Sequence, residues 1–259
     1  MKLVFFHDMV DPAGAWLRDG LLPGLAGLPG VTRVVWWRAR RVPQPEDVSR
    51  PLNAVTGMGE VFAPEATLVT RVLPMLRDLA ADVSRVTILR GVVCDEEPEY
   101  DLIRDVPAQQ HPYFTLPVDW KSGRRIEVPE PTGEDLYRYV YFFAYRDEVS
   151  FDAGEDWYLG HHTREGRQLP GLVRYLTWRR RRPAGAAEYD RDLLGLVRYT
   201  ELCFESFERW YDACYRHGPR WRMPEEHPKG VWHDYHAFFL GPEPEIDLTV
   251  PSPRKEAVD

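Results

Sequence analysis

The sequence contains little of what small secreted proteins and nucleic-acid-binding proteins require. Its three cysteines, Cys94, Cys203 and Cys214, are odd in number and widely spaced, which excludes a disulfide framework and a CxxC zinc site. Only four of its 33 basic residues are lysines, and the formal net charge at pH 7 is −8. Because nucleic-acid binding depends on a basic surface that neutralises phosphates, we expect no nucleic-acid partner.

Long apolar runs and nucleotide-binding motifs are also missing. No stretch approaches the roughly 18 consecutive apolar residues of a membrane-spanning helix, and the start, MKLVFFHD, is typical of a strand rather than a signal peptide. We therefore expect a cytoplasmic protein without a membrane partner. The sequence has no GxGxxG fingerprint after a strand, no P-loop, no HExxH and no GxSxG motif, which disfavours nucleotide, flavin, metalloprotease and serine hydrolase chemistry.

An internal repeat organises the chain. The segment LPGVTRVVWWRARR at 28–41 aligns with LPGLVRYLTWRRRR at 169–182, at an offset of 141 and with eight of fourteen positions identical. In each half, an apolar run and a helical stretch precede the repeated segment, and a strand, a helix and a further strand follow it. Each half therefore predicts the order β-α-β-β-α-β, which is the ferredoxin-like unit.

The predicted elements define an architecture. Besides the repeated segments, they are 2–6, 12–27, 54–62, 64–82 and 86–94 in the first half and 137–145, 153–169, 194–204, 207–217 and 231–240 in the second, with a kink or a break of the helix expected at Pro74. A ferredoxin-like unit leaves one sheet face bare, so we predict an α+β fold in which two such repeats pack sheet to sheet as a single-chain barrel.

The same patterns divide the chain into four parts. Residues 1–95 form the first repeat, which is degenerate, and residues 137–240 form the second. Residues 96–136 are a proline-rich linker with a hairpin expected at Ser122-Gly123, and residues 241–259 are a tail expected to fray or to lie on the surface.

The second half also resembles a known family. The segment EDWYLGHHTREGRQLPGLVRYLTW is similar to the EthD-like branch of the dimeric α+β barrel superfamily, and FESFERWYDAC is similar to that family's second helix. The matching residues are Trp157, Tyr158, His162, Leu169, Pro170, Gly171, Leu172, Arg174 and Tyr175. Leu21 of the first repeat stands where the second has His162, so the resemblance implies one pocket, in the second half between sheet and helices.

The resemblance implies a small-molecule enzyme that needs no cofactor. The family includes polyketide cyclases, lactone isomerases and quinone-forming monooxygenases, many of which act on polycyclic aromatic or polyketide-type metabolites. The superfamily also contains haem-binding tandem members, so a haem protein is an alternative.

His162 is the leading candidate for acid–base catalysis. An imidazole with a pKa of about 6.5 exchanges a proton near neutral pH, which suits phenolate or enolate chemistry. Helical spacing places His162 on one stripe with Tyr158 and Leu169, so we expect it to face the sheet and to border a cavity. The alternative is a core histidine bonded to a backbone carbonyl.

The strand predicted at 231–240 carries further polar candidates. Strict alternation sends Trp232, Asp234 and His236 to one face and His233 and Tyr235 to the other. Asp234 and His236 are further catalytic candidates, with Asp234 orienting or activating an imidazole, and a structural network between the sheets is the alternative. Because His233 and His236 are three residues apart on a strand and project to opposite faces, we predict no metal site.

Aromatic residues are unusually frequent, with nine Trp, 13 Tyr and 11 Phe. We predict that some of them form a flat slot for a polycyclic ring, in which each good stacking pair contributes about 0.5–1.5 kcal/mol. The predicted substrate-binding residues are Tyr139, Tyr141, Trp157, Tyr158, Arg174, Tyr175, Trp178, Trp210, Trp232, His233 and Tyr235. Arg174 is included as a ligand for an anionic or phenolic oxygen, and a salt bridge to the acidic linker is its simpler alternative.

These residues, together with the resemblance, predict a cofactor-independent oxygenase that acts on an aromatic polyketide-type small molecule in natural-product biosynthesis. In this prediction His162 deprotonates a phenol or hydroquinone, and the resulting anion reacts with dioxygen. A cofactor-free cyclase or isomerase that uses the same histidine is one alternative, and a non-catalytic metabolite-binding protein is another. We expect a monomer or a homodimer.

Overall fold

The structure is a computed structural model that describes residues 1–9, 15–82, 84–103, 136–189, 193–216 and 230–250. Within these ranges the chain forms ten strands, four longer helices and one short 3-10 helix (Ala187–Tyr189). The strands are β1 (Lys2–Met9), β2 (Arg33–Arg40), β3 (Gly57–Phe62), β4 (Val86–Cys94), β5 (Tyr100–Asp101), β6 (Tyr137–Tyr145), β7 (Leu172–Arg179), β8 (Arg198–Phe204), β9 (Trp232–Leu240) and β10 (Ile246–Thr249).

The two halves have the same strand order. The first sheet runs β4-β1-β3-β2 and the second runs β9-β6-β8-β7, and all neighbouring strands are antiparallel. In both sheets the first strand of the half lies between its fourth and third strands, which is the arrangement of a ferredoxin-like unit. The sheets join where β2 pairs with β9, at Ala39 opposite Leu240 and Arg40 opposite Phe239.

Buried side chains fill three layers. One layer lies between the first sheet and its helices, and another lies between the second sheet and its helices. The third fills the space between the two sheets and includes Val4, Phe6, Met58, Val92, Phe142, Tyr199 and Phe238. Alternation explains the double burial, because Phe5 packs toward the helices and Phe6 toward the opposite sheet. The predicted α+β barrel of two ferredoxin-like units is therefore confirmed.

Each of the four longer helices includes a π-helical turn of five residues. Helix α1 comprises Leu17–Leu21 (π) and Leu22–Ala26; α2 comprises Glu65–Thr67, Leu68–Val72 (π) and Leu73–Ala80; α3 comprises Phe151–Trp157, Tyr158–His162 (π) and Thr163–Gly166; α4 comprises Phe207–Tyr211 and Asp212–Arg216 (π). Of the predicted kink or break at Pro74, the break is wrong, because α2 continues to Ala80. Pro74 is the second residue after the wide π-helical turn, where the hydrogen-bond register changes and its missing N–H is tolerated.

The repeated Leu-Pro-Gly segments form corresponding turns ahead of β2 and β7. Gly30 and Gly171 have φ angles of +94° and +77°, a left-handed conformation that glycine adopts without steric cost. The repeated sequence thus fixes the same entry into the second strand of each half.

Parts of the linker and the tail are ordered against the sheets. Tyr100 and Asp101 form a short strand on β7. The tail does not only fray or lie on the surface, since β10 adds to β2 with Ile246 opposite Trp36. The hairpin predicted at Ser122-Gly123 lies outside the described residues. None of the helices in the described ranges combines the length and the apolar character needed to cross a membrane.

Candidate active site

A β-bulge in β9 determines where the polar candidates of the second half lie. Phe142 of β6 pairs with His236, but Ala144, two residues further on, pairs with His233, three residues earlier in β9. Asp234 takes up the extra residue with a left-handed φ of +49°. A non-glycine residue in this conformation costs about 1–3 kcal/mol, and such residues cluster at functional sites.

The bulge overturns part of the predicted alternation. Trp232 and Tyr235 stack at a ring-centroid distance of 5.5 Å, and both lie against the helices. His236 packs instead against Phe6 of the opposite sheet, at 4.8 Å. Trp232 is therefore not on the face of His236, because one extra residue in the strand shifts every side chain before it to the other face.

His162 lies in the aromatic layer between α3 and the second sheet. Its side chain is buried, and its ring is within 4.5–5.7 Å of the rings of Trp232, Trp157 and Tyr158. The helical spacing thus correctly placed His162 toward the sheet. It does not line the clefts described below.

The environment of His162 makes it a weak base. Burial, reinforced by the positive charge of Arg50, lowers the pKa of its imidazole to about 3. This corrects the expectation of a histidine that exchanges protons near neutral pH. At pH 7 the ring is neutral, and protonating it requires placing a charge among aromatic rings.

Tyrosine hydroxyls continue this layer across the sheet. Tyr141 Oη lies 3.1 Å from Tyr175 Oη and 3.3 Å from Tyr158 Oη, and Tyr158 Oη lies 3.0 Å from Thr200 Oγ1. Burial raises the pKa values of Tyr141 and Tyr175 well above their usual range, so both phenols remain protonated.

Most of the predicted substrate-binding residues meet in this layer. Those that the structure brings together here are Tyr139, Tyr141, Trp157, Tyr158, Tyr175, Trp210, Trp232 and Tyr235. They pack against one another as core: Tyr139 contacts Trp210 at 4.9 Å between ring centroids, and Tyr141 stacks on Tyr235 at 5.4 Å. These contacts fill the predicted flat slot.

Trp178 and Arg174 lie elsewhere. Trp178 faces the barrel interior, where it stacks on Tyr199 at 4.6 Å and lies 4.4 Å from Lys2 Nζ. It is three residues from Tyr175 on the same strand, so the two rings project to opposite faces of the sheet. Arg174 is half-buried on β7, opposite Cys203 of β8.

An acid–base cluster lies at the bulge. His236 Nε2 is 2.9 Å from Asp234 Oδ1, and Arg90 Nη2 of β4 forms an ion pair with Asp234 Oδ2. The side chains of His236 and Asp234 are about one quarter exposed, at 23% and 24%. The pKa of Asp234 is lowered overall. Partial burial raises it, but the hydrogen bond to His236 and the charge of Arg90 together outweigh this effect, so the carboxyl is ionised at neutral pH.

Arg90 and Asp234 of this cluster line a cleft of about 480 Å³, a volume suited to a small molecule, and His236 adjoins the cleft through its hydrogen bond to Asp234. Its lining residues are Arg90, Ala144, Tyr145, Arg146, Asp147, Val149, Phe151, Arg182, Gly195, Val197, His233 and Asp234. Of the predicted substrate-binding residues, only His233 lies here. Sequence analysis missed Arg90, because an arginine from the first half meets Asp234 only when the two sheets close into the barrel.

The residues around His162 do not fit a haem. An axial imidazole needs an open ring nitrogen and a flat space beside it, whereas three aromatic rings pack closely on His162. In the part of the chain that the structure describes, no three His, Cys, Asp or Glu side chains are grouped so as to hold a metal ion.

Comparisons with known proteins show the fold. No protein-family model matches the chain, and no curated protein matches it in sequence. A solved anthrone oxidase-like protein is 13% identical with a TM-score of 0.52, over 96% of this chain and 92% of its own. A chlorite dismutase mutant from Candidatus Nitrospira defluvii is 11% identical (TM-score 0.44; 93% and 91% covered), and a protein from Fusobacterium nucleatum with a provisional monooxygenase assignment is 8% identical (TM-score 0.41; 96% and 93%).

Proposed function

We propose that this protein is a cofactor-independent oxygenase of aromatic, polyketide-type small molecules, in which His236 removes a proton from a phenol or hydroquinone. The observation that carries this proposal is the Arg90–Asp234–His236 cluster, of which Arg90 and Asp234 line the 480 Å³ cleft. The proposal moves the catalytic base from His162 to His236, since the pKa of His162 is lowered to about 3.

The geometry of the pair defines which nitrogen acts. A carboxylate only accepts hydrogen bonds, so Nε2 of neutral His236 donates its proton to Asp234, and Nδ1 carries the lone pair. Asp234 fixes this tautomer and stabilises the imidazolium that forms when Nδ1 takes a proton. Arg90 holds the second carboxylate oxygen and so fixes the orientation of Asp234.

The reaction balances without a cofactor. Loss of the phenolic proton to His236 gives a phenolate, whose electron-rich ring carbon transfers electrons to dioxygen and forms a C–O bond. The imidazolium returns the proton to the resulting peroxide anion, and the hydroperoxide then loses water together with the hydrogen of the oxygenated ring carbon, so that one oxygen atom enters a quinone product and the other leaves in water. The substrate anion supplies all four electrons that dioxygen accepts.

Three further observations support the proposal. The cleft has apolar side chains such as Val149 and Phe151 beside its charged groups, as a site for a substituted aromatic ring requires. Asp234 has a strained backbone at the position of the cluster. One protein with the same fold is named anthrone oxidase-like, although 13% identity extends the likeness only to the fold.

The test is oxygen uptake by purified protein with anthrone and a panel of naphthols, without added metal or flavin. We expect uptake by the wild type and a loss of about 10²–10⁴-fold in His236→Ala and Asp234→Asn. His161→Ala, which changes an exposed histidine of α3, is the matched control and should retain full activity. Full activity in His236→Ala that still shows the wild-type thermal unfolding profile would overturn the assignment.

The same cluster could support a cyclase or isomerase, since proton transfer by His236 does not itself require oxygen. Anaerobic incubation separates the two reactions: conversion under nitrogen would show cyclisation and contradict oxygenation. Tight binding with unchanged substrate, in air and under nitrogen, would show a non-catalytic carrier.

A further inference from the structure

A second cleft adjoins the acid–base cleft. It has a volume of about 410 Å³, and its lining residues are Phe151 and the arginine run Arg179–Arg182. Phe151 and Arg182 also line the 480 Å³ cleft, so the two clefts meet at these side chains. A ligand that extends beyond the acid–base cleft therefore reaches four guanidinium groups.

The positive charge of Arg182 is not neutralised within the described residues. Its neighbours are engaged: Arg181 contacts Asp95 at 2.6 Å, Arg179 contacts Glu99 at 3.2 Å, and a guanidinium nitrogen of Arg180 donates to the Leu194 carbonyl at 2.7 Å. Arg182 is exposed, and it makes no hydrogen bond or ion pair with the part of the chain that the structure describes.

The other charges of the two clefts leave this end positive. In the acid–base cleft, Arg90 is paired with Asp234, and Arg146 donates to Glu148 at 2.6 Å. Asp147, which is exposed, is the remaining carboxylate of that cleft, and the second cleft has no acidic lining residue. Anions are therefore attracted to the end formed by Arg182.

Phe151 lines both clefts, together with Arg182. It is 39% exposed and is the one large hydrophobic side chain that is exposed among the described residues. Exposed aromatic side chains at a cleft commonly mark a binding surface, because covering them with an apolar ligand removes them from water.

From this arrangement we infer that the substrate carries an anionic oxygen group, which Arg182 binds while the aromatic part lies over Phe151 and the phenol reaches His236. A guanidinium binds a carboxylate or phosphate through paired N–H donors, which fixes orientation as well as position. This inference rests on the proposed function for the role of the phenol. The binding of an anion by Arg182 does not depend on whether the protein is an oxygenase.

The experiment is equilibrium dialysis under nitrogen, so that binding is measured without turnover. The probes are 6-hydroxy-2-naphthoate, 2-naphthyl phosphate and the neutral 2-naphthol. We expect at least one anion to bind the wild type about tenfold more tightly than 2-naphthol at low salt; preference for the first identifies a carboxylate, and preference for the second a phosphate ester. Equal binding of all three probes would overturn the inference.

Three variants localise the effect. Arg182→Gln should reduce the affinity for the preferred anion about tenfold and leave 2-naphthol unchanged, whereas Phe151→Ala should weaken the binding of all three probes. Arg71→Gln removes the same charge from an exposed position on α2, outside both clefts, and should change nothing. Wild-type affinity for the anions in folded Arg182→Gln would contradict the site.

The anion site and the oxygenase proposal can fail independently of each other. If anions bind through Arg182 but no oxygen is consumed, the anion site stands and the oxygenase proposal fails. If oxygen is consumed while Arg182→Gln binds and turns over like the wild type, the oxygenase proposal stands and the anion site fails.

Discussion

Two histidines on opposite faces of the second sheet show how environment separates a structural imidazole from a catalytic candidate. His162 is enclosed by aromatic rings on the helix side, and its pKa is lowered to about 3. His236, on the barrel side, is about one quarter exposed and hydrogen-bonded to Asp234, which lines a cleft. The residue type is the same, but of the two only His236 is paired with a carboxylate and partly exposed.

The largest expected effect is on turnover. His236→Ala should reduce the oxygenase rate by about 10²–10⁴-fold, whereas His162→Phe, which replaces one ring in an aromatic layer by another, should change it less than about threefold. Single-turnover oxygen uptake on both variants, each checked for cooperative unfolding, measures the difference. A larger loss of rate in His162→Phe than in His236→Ala would identify His162, and not His236, as the base.

The second-largest expected effect is on how the free energy of unfolding depends on pH. Burial lowers the pKa of His7 to about 4 and that of His162 to about 3, both below the unfolded value of about 6.5. Because the unfolded chain then binds protons more readily, the stability due to each neutral ring is complete above pH 6.5 and is lost as the pH falls toward the folded pKa.

His162→Phe isolates one of these contributions. Between pH 7 and pH 5 the wild type should lose about 2 kcal/mol more unfolding free energy than this variant, which has one titrating group fewer. Urea titrations at the two pH values provide the measurement. An identical pH dependence in both proteins would mean that His162 is not protected from protonation.

The smallest expected effect is on the free energy of unfolding when the bulged residue of β9, Asp234, is replaced. Asp234 has a φ of +49°, so Asp234→Gly should be more stable than Asp234→Ala by about 1 kcal/mol, because only alanine retains the steric cost of the left-handed backbone. Both variants lose the carboxylate and should be inactive. Equal stabilities would indicate that the bulge relaxes when Asp234 is replaced.

The sequence predicted the fold better than the site. Strands Val86–Cys94 and Tyr137–Tyr145 have the predicted bounds, because runs of β-branched and aromatic residues buried on both faces are strong local signals. The face of Trp232 was predicted wrongly, since one left-handed residue in β9 breaks a period of two. Aspartate adopts the left-handed backbone more readily than most residues, but this preference alone does not identify Asp234 as the bulged residue.

The charged partners of the site depend on tertiary structure. Arg90 and Asp234 are 144 residues apart and meet only across the closed barrel. The weak basicity of His162 likewise follows from the rings and the Arg50 charge gathered around it. Its position toward the sheet was predictable from helical spacing, whereas its pKa was not.

A crystal structure of the protein with 6-hydroxy-2-naphthoate, grown under nitrogen, tests the central claim most directly. We predict that the phenol oxygen lies about 3 Å from His236 Nδ1, at the edge of the acid–base cleft. A ligand bound instead in the aromatic layer, with its phenol on His162, would contradict the assignment of His236 as the base.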